Sequence, residues 1–252
     1  MHAETASLAV EAGNGHPIFY HRPHGWASLG ITEKVIADFD RLAEQRIRNP
    51  HNHRYATPAG VTFVTYSNAN SQTLIEKCYE AYGIADFVVV SKELVEWNWM
   101  AKIKPVLNYL ESNSCDSPYI VVTDATDMLL VNDPQNVVDY FKSYNCDLLF
   151  CNTMANWPEN QELAAFESKT YPTHPFHCHL SAGGYVGNRD AIKKFLTEIV
   201  EAFEAEKPWL YDGGAFDDQL SWRHLHHKYF PRIKVDYRSL VFQRYDSFRD
   251  RD

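Results

Sequence analysis

From residue 61 onward, the chain alternates short apolar, β-branched runs with longer segments in which apolar residues recur at helical spacing. This alternation predicts an α/β domain with a mostly parallel central sheet flanked by helices. Ligands of such sheets bind beyond the carboxyl ends of the strands, here just after residues 66, 91, 123 and 152. The predicted strands cover 61–67, 86–91, 117–127, 146–152 and 181–188, with short ones in KVDY and SLVFQ. The predicted helices cover 71–83, 99–112, 133–145, 189–206 and 216–230.

The first 60 residues follow a different pattern. Residues 1 to about 30 are rich in His, Gly and Pro without a clear period, which predicts an irregular arm. Residues 32–48 place apolar side chains at helical spacing. We therefore expect an N-terminal arm with one helix over residues 1–60 and a single α/β domain over residues 61–252, which is an ordinary domain length.

Composition excludes several classes of partner. The chain has 24 basic and 33 acidic residues and a formal charge of −9, whereas nucleic acid and anionic membranes both require a basic face. No apolar run approaches about 18 residues, so we expect no membrane span. The N-terminal residues show no secretory signal, from which we expect a cytoplasmic protein. Five cysteines without a C-x-x-C pair predict neither a disulfide framework nor a structural zinc site.

Two carboxylates, Asp124 and Asp127, follow the best candidate for a central strand, in the sequence VVTDATDML. Hard divalent cations such as Mn²⁺ or Mg²⁺ prefer oxygen ligands. Two carboxylates on a tight turn leave coordination positions open for the oxygens of a diphosphate, and the bound ion would neutralise charge on that group as it departs. The alternative is that both side chains only cap and solvate the turn. The pattern by itself favours neither interpretation.

Two further motifs are candidate parts of a site. Asp217 and Asp218 stand at a predicted helix start, and because adjacent helical residues do not face each other, we expect one carboxylate to point into the site and the other to cap the helix. The alternative is that both only cap it. Gly183 and Gly184 lie in SAGGYVGN, which matches no phosphate-loop pattern. They indicate either close backbone approach to a ligand or a bulge.

Histidine clusters support a competing hypothesis. His174, His177 and His179 lie in THPFHCH, and RHLHHK contributes His224, His226 and His227. Such clusters are found in zinc hydrolases, and His224 and His227 would share one helical face. No H-E-x-x-H motif is present.

Taken in order, the segments TYSN, TDATD, NWP, HLSAGGYVG, FDDQ and VDYRSLVFQ resemble the glycosyltransferase domain of procollagen lysyl hydroxylase/glycosyltransferases, over about residues 61–243. That family has a GT-A fold with a Rossmann-like, mostly parallel sheet, and it uses UDP-sugars with Mn²⁺. The resemblance implies a metal-dependent hexosyltransferase that moves glucose or galactose to a hydroxyl acceptor, a glycan or a hydroxylated protein side chain, with retention of configuration.

The resemblance also implies roles for individual residues. Asp124 and Asp127 match the metal-binding aspartates, and Asp217 and Asp218 match a pair required for transfer. The residues implied in donor binding are Thr65, Tyr66, Ser67, Lys102, Trp157, Gly183 and Gly184.

Two departures from the family pattern affect these expectations. Leu180-Ser181-Ala182-Gly183-Gly184 replaces the family's L-N-S-G-G. The family also supplies a histidine metal ligand shortly after the segment that matches VFQ, and this chain has no histidine beyond His227. The alternatives are that another residue completes the metal shell, that the metal is held more loosely, that the natural C-terminus is trimmed, or that the chain is a catalytically degenerate UDP-sugar-binding module. Collagen is not assumed to be the acceptor.

Overall fold

A six-stranded sheet lies at the centre of the structure, a computed structural model that describes residues 17–22, 33–49, 54–112, 114–171 and 177–245. The strands are β1 (Phe19–His21), β2 (Val61–Tyr66), β3 (Phe87–Val90), β4 (Tyr119–Thr123), β5 (Met128–Leu130), β6 (Leu148–Thr153), β7 (His179–Asn188), β8 (Tyr211–Asp212), β9 (Ala215–Phe216), β10 (Ile233–Val235) and β11 (Phe242–Arg244). The α-helices are α1 (Glu33–Arg48), α2 (Leu74–Tyr82), α3 (Lys104–Glu111), α4 (Val137–Ser143), α5 (Gln161–Thr170), α6 (Arg189–Glu204) and α7 (Asp218–Tyr229).

The central sheet has the strand order β10-β6-β7-β4-β2-β3. The pairs β2 with β3, β2 with β4, and β6 with β10 are parallel, whereas β7 runs antiparallel to both β4 and β6. The predicted mostly parallel α/β sheet is therefore confirmed. Because β7 runs in the opposite direction, its first residues lie beside the carboxyl ends of β4 and β6.

Apolar side chains cover both faces of this sheet, as expected for buried parallel strands. Strand β4 shows the alternation: Val121 packs into one core with α1, α2 and α4, while Ile120 and Val122 pack into the other with α3, α6 and α7. The short α2 is defined by its ends, since Thr73 and Glu76 form a capping box and Gly83 takes the left-handed conformation after the last turn. Pro105 lies in the first turn of α3, where a missing backbone N–H costs no helical hydrogen bond.

The N-terminal segment contains a strand that the sequence pattern does not predict. Strand β1 lies between β11, to which it is parallel, and β5, to which it is antiparallel. Phe19 is fully buried and stacks on Phe242, with 5.5 Å between the ring centroids. The prediction of an irregular arm is thus wrong for residues 17–22, because three residues are too few to show a strand period.

Helix α1 confirms the prediction for residues 32–48, and it also packs on the domain. Phe39 is fully buried and contacts the ring of Tyr245, while Asp40 accepts two bonds from the Arg22 guanidinium at 2.7 and 2.8 Å.

Strand β5 and helix α5 were also missed by the sequence pattern. In the described part of the chain, no helix is long and apolar enough to cross a membrane.

Candidate active site

A cavity of about 590 Å³ opens at the carboxyl ends of β2, β4 and β6, which is within the usual size range of small-molecule sites. The start of β7 and the N-terminus of α7 complete its wall. This is the sheet edge that the sequence pattern indicates, and it brings most of the predicted site residues together. The predicted residues that line it are Tyr66, Ser67, Lys102, Asp124, Asp127, Trp157, Gly183, Asp217 and Asp218.

Asp124 and Asp127 lie in the turn that follows β4. The turn is fixed because the Asp124 amide donates to the carbonyl of Gly183 at 2.8 Å. The Oδ2 atoms of both carboxylates face the same imidazole nitrogen, Nε2 of His21, at 3.9 Å from Asp124 and 3.3 Å from Asp127. Within the described ranges, His21, Asp124 and Asp127 form the one group of three side chains whose ligand atoms, all within 4.8 Å of one another, could hold a metal ion.

His21 lies in the N-terminal segment, for which the sequence pattern indicates no function. It ends β1, and the next residue, Arg22, donates its amide to the carbonyl of Asp127 at 2.7 Å. Strand β1 lies parallel to β11, and β11 contains the end of the VFQ segment after which the family carries its histidine ligand. The structure therefore supplies a histidine beside the carboxylates from the opposite end of the chain, 106 positions away from Asp127.

Gly183 makes this approach of His21 possible. A Cβ atom built on Gly183 would lie 2.6 Å from Nε2 and 2.7 Å from Cε1 of the His21 ring, well inside van der Waals contact. The close approach at this glycine is to a protein side chain of the site. The register of β6 and β7 also shifts opposite this segment, between Phe150, which pairs with Tyr185, and Cys151, which pairs with Ser181, and this shift fits the alternative of a bulge.

Lys102 and Tyr66 hold the other oxygen of Asp124. Lys102 Nζ donates to Asp124 Oδ1 at 2.8 Å, and the Tyr66 hydroxyl donates to the same atom. Burial acts to lower the pKa of Lys102, but Asp124 and Asp218 outweigh it and raise that pKa. The lysine therefore stays charged, and the two oxygens of Asp124 are divided: Oδ1 faces its supporting donors and Oδ2 faces His21.

Asp217 and Asp218 divide as expected for adjacent residues at a helix start. Asp217 is the N-cap of α7, and its Oδ1 accepts from the Leu220 amide at 2.7 Å. Asp218 is buried and points toward Lys102, with 3.6 Å between Oδ2 and Nζ. Burial raises the pKa of Asp218 to about 6, and Lys102 opposes this effect.

Trp157 forms part of the cavity rim and remains 43% exposed. Its carbonyl accepts a bond from Gln219 Nε2, and Gln219 Oε1 accepts from the Ala182 amide at 3.1 Å. One residue of α7 thus connects the Trp157 loop to β7. Two further exposed tryptophans, Trp97 and Trp99, line the same cavity and were missed.

Two residues implied in donor binding lie elsewhere. Thr65 is fully buried and donates to the carbonyl of Thr123 at 2.9 Å, so it links two strands and does not line the cavity. A Cβ atom on Gly184 would lie 2.9 Å from the Phe242 ring, so this glycine is required by packing. Alternation along a strand explains both corrections, since the neighbours Tyr66 and Gly183 face the cavity.

The histidine clusters do not come together as a metal centre among the described residues. His177 pairs with Asn152 Oδ1 at 3.0 Å, and His179 pairs with Glu167 Oε2 at 2.7 Å. His226 is fully buried and pairs with the Tyr171 hydroxyl, while His224 packs on Trp209. His174 lies outside the described residues. These contacts do not support the zinc-hydrolase hypothesis.

The cavity carries an excess of negative charge. Four carboxylates line it, from Asp124, Asp127, Asp217 and Asp218, whereas the permanently charged cations among the described lining residues are Lys102 and Arg244. An anionic ligand would therefore be repelled unless a further cation accompanied it. Arg244 was not predicted from the sequence.

A comparison with curated proteins found no match. A family model described as the PLOD GT domain matches residues 100–251, more than half of the chain. The match contains Lys102, both aspartate pairs and Arg244. The six-stranded sheet flanked by helices is consistent with a GT-A-like fold. The chain therefore belongs to the PLOD GT domain family, the glycosyltransferase domains of the procollagen lysyl hydroxylase/glycosyltransferases.

Proposed function

We propose that this domain transfers a hexose, glucose or galactose, from a UDP-sugar to a hydroxyl acceptor, with Mn²⁺ as cofactor and Mg²⁺ as a substitute. The observation that carries the proposal is the convergence of His21 Nε2 with the Oδ2 atoms of Asp124 and Asp127. This convergence lies in the cavity of a domain whose family performs glycosyl transfer.

The three side chains suit a divalent ion of this type. Carboxylate oxygens suit Mn²⁺, the neutral imidazole of histidine is a common metal ligand, and three protein ligands leave positions for phosphate oxygens. One divalent ion would also offset the excess negative charge of the cavity. When bound, the ion supplies a Lewis acid that stabilises charge on the leaving diphosphate.

The surrounding side chains have complementary roles in this proposal. Lys102 and Tyr66 orient Asp124 by holding its Oδ1, as supporting residues do for metal ligands. Asp218 faces the cavity and orients the acceptor hydroxyl, while Asp217 fixes the start of α7. Trp157 covers the sugar. The acceptor is a glycan or a hydroxylated protein side chain, and by resemblance to the family the anomeric configuration is retained.

The first test measures turnover of UDP-glucose and UDP-galactose by the wild type and by Asp127→Asn, each with Mn²⁺ and with EDTA. Asp127→Asn keeps the side-chain shape but removes one ligand charge. We expect turnover to fall at least about 100-fold with the variant. Asp190→Asn is the matched control, because Asp190 is an exposed carboxylate at the start of α6, outside the cavity, and its loss should leave turnover unchanged.

Turnover that neither EDTA nor Asp127→Asn reduces would overturn the proposal. Mn²⁺-dependent UDP binding without turnover on any acceptor would instead indicate the degenerate binding module. NMR of the first-formed product, before mutarotation, tests retention. Metal analysis of the purified protein provides a separate check, since stoichiometric zinc would favour a hydrolase.

A further inference from the structure

Arg244 is a cationic side chain of the cavity to which neither the sequence pattern nor the roles above assign a function. It ends β11, and its Cα is the register partner of the His21 Cα on the neighbouring parallel strand. Register partners in adjacent strands project to the same face of the sheet. The guanidinium therefore lies on the same side as the His21 imidazole, and both line the cavity.

The Arg244 side chain is buried and held in place. Its Nη1 donates to the Thr153 hydroxyl at 2.9 Å, and Arg244 and Thr153 are 6% and 1% exposed. Thr153 itself ends β6, and its hydroxyl also accepts from the Ala155 amide at 3.2 Å. The guanidinium is thus held at the carboxyl end of β6, in the cavity that His21, Asp124 and Asp127 also line.

The other cavity cation acts on different groups. Lys102 Nζ lies 2.8 Å from Asp124 and 3.6 Å from Asp218, so its charge is directed at two carboxylates. It also lies 5.1 and 5.0 Å from the ring centres of Tyr66 and Trp99. Lys102 therefore acts on Asp124 and Asp218, whereas Arg244 lines the cavity from the strand that pairs with the His21 strand.

We propose that Arg244 binds the diphosphate of the nucleotide-sugar donor, on the phosphate beside the ion held by His21, Asp124 and Asp127. This inference rests on the proposed function. A planar guanidinium with several donors matches phosphate oxygens and forms bonds roughly twice as strong as neutral ones. The guanidinium is one of the two fixed cations that, together with the ion, offset the four carboxylates of the cavity.

Arg244 acts on the diphosphate, which gains negative charge during transfer. The bond between the anomeric carbon and the diphosphate oxygen breaks, and its electron pair stays on that oxygen. The acceptor oxygen forms the new bond to the anomeric carbon and loses its proton to a base. Donors from Arg244 stabilise the diphosphate as it gains this charge.

The experiment compares ligands that differ only in phosphate. Uridine, UMP and UDP are titrated into the wild type and Arg244→Gln in the presence of Mn²⁺, by calorimetry, with ligand-observed NMR for weak binding. We expect Arg244→Gln to weaken UDP binding about 10- to 100-fold and to leave uridine binding unchanged. Arg244→Lys keeps the charge but loses the planar set of guanidinium donors, so we expect a loss of UDP affinity between those of the wild type and Arg244→Gln.

Three outcomes of this experiment are distinguished. If the wild type binds no UDP, the proposed function fails. If the wild type binds UDP but Arg244→Gln weakens UDP binding and uridine binding equally, Arg244 only supports the fold and this inference is overturned. The inference is also overturned if Arg244→Gln weakens the binding of neither ligand. If Arg244→Gln does not fold, the UDP-to-uridine comparison in Arg244→Lys and in Thr153→Val, which removes the hydroxyl that holds the guanidinium, decides in the same way.

Discussion

Replacing Gly183 by alanine should weaken the proposed metal site without changing any of its three ligand residues. The added Cβ would lie 2.6 Å from His21 Nε2 and 2.7 Å from Cε1, while ordinary van der Waals contacts begin at 3.4 Å. The ring must therefore move by about 1 Å. His21 is 3% exposed and its strand lies between β11 and β5, so the ring has little room to move without changing its distances to Asp124 and Asp127.

The magnitude follows from that displacement. Misplacing a catalytic group by about 1 Å can cost about 100-fold in rate, and disturbing the partners that orient metal ligands costs about 10- to 100-fold in metal affinity. We therefore expect Gly183→Ala to bind Mn²⁺ about 10- to 100-fold more weakly. The overpacking should also reduce the free energy of unfolding by about 1–3 kcal/mol.

The assay is Mn²⁺ titration followed by calorimetry or electron paramagnetic resonance, with folding checked by urea unfolding. Gly187→Ala is the matched control, since it is on the same strand and its Cβ would lie 2.4 Å from the Leu148 side chain and 2.6 Å from the Asp147 carbonyl. It should lose stability but, where folded, keep Mn²⁺ affinity. In a His21→Ala background, Gly183→Ala should have no further effect on Mn²⁺ binding. Wild-type Mn²⁺ affinity in folded Gly183→Ala would refute the assignment of His21 as a ligand.

Two predictions concern stability. Asp236→Asn should lower the free energy of unfolding by about 3 kcal/mol in urea, because this buried carboxylate accepts from three backbone amides before and within β11 and from the Tyr144 hydroxyl; a loss below about 1 kcal/mol would contradict this role. Burial lowers the pKa of His226 to about 4, below its unfolded value of about 6.5, so the folded state resists protonation as pH falls through that range. The wild type should lose about 2 kcal/mol of unfolding free energy between pH 7 and 5 from this residue, a loss that His226→Gln should lack, and equal pH dependence in both proteins would contradict the prediction.

The local part of the site could be predicted from the sequence. Asp124 and Asp127 are three residues apart after an apolar run, and the position of a strand end is enough to place them at the ligand-binding edge. Asp217 and Asp218 are adjacent at a helix start, and because adjacent helical residues do not face each other, their side chains point in different directions. Each inference uses residues close in sequence, where periodicity and capping are informative.

The residues that were missed come together only through long-range pairing. His21 stands in a three-residue strand that shows no period, and its partner Asp127 is 106 positions away. Arg244 faces the cavity because β11 pairs with β1 in one particular register. Thr65 and Gly184 were misassigned because motif matching does not tell which face of a strand a side chain occupies, and a shift of one residue reverses that face.

The sequence by itself determined that this chain is an α/β domain with a carboxylate pair at the end of a central strand, because local periodicity and motif order carry that information. Tertiary structure decided that the N-terminal segment is part of the site. Strand β1 of this segment pairs with β11 and β5, which brings the His21 imidazole to the two carboxylates. The same pairing places the Arg244 guanidinium in the cavity. The physical reason is that strand pairing depends on hydrogen bonds and burial between distant segments, which no local pattern specifies.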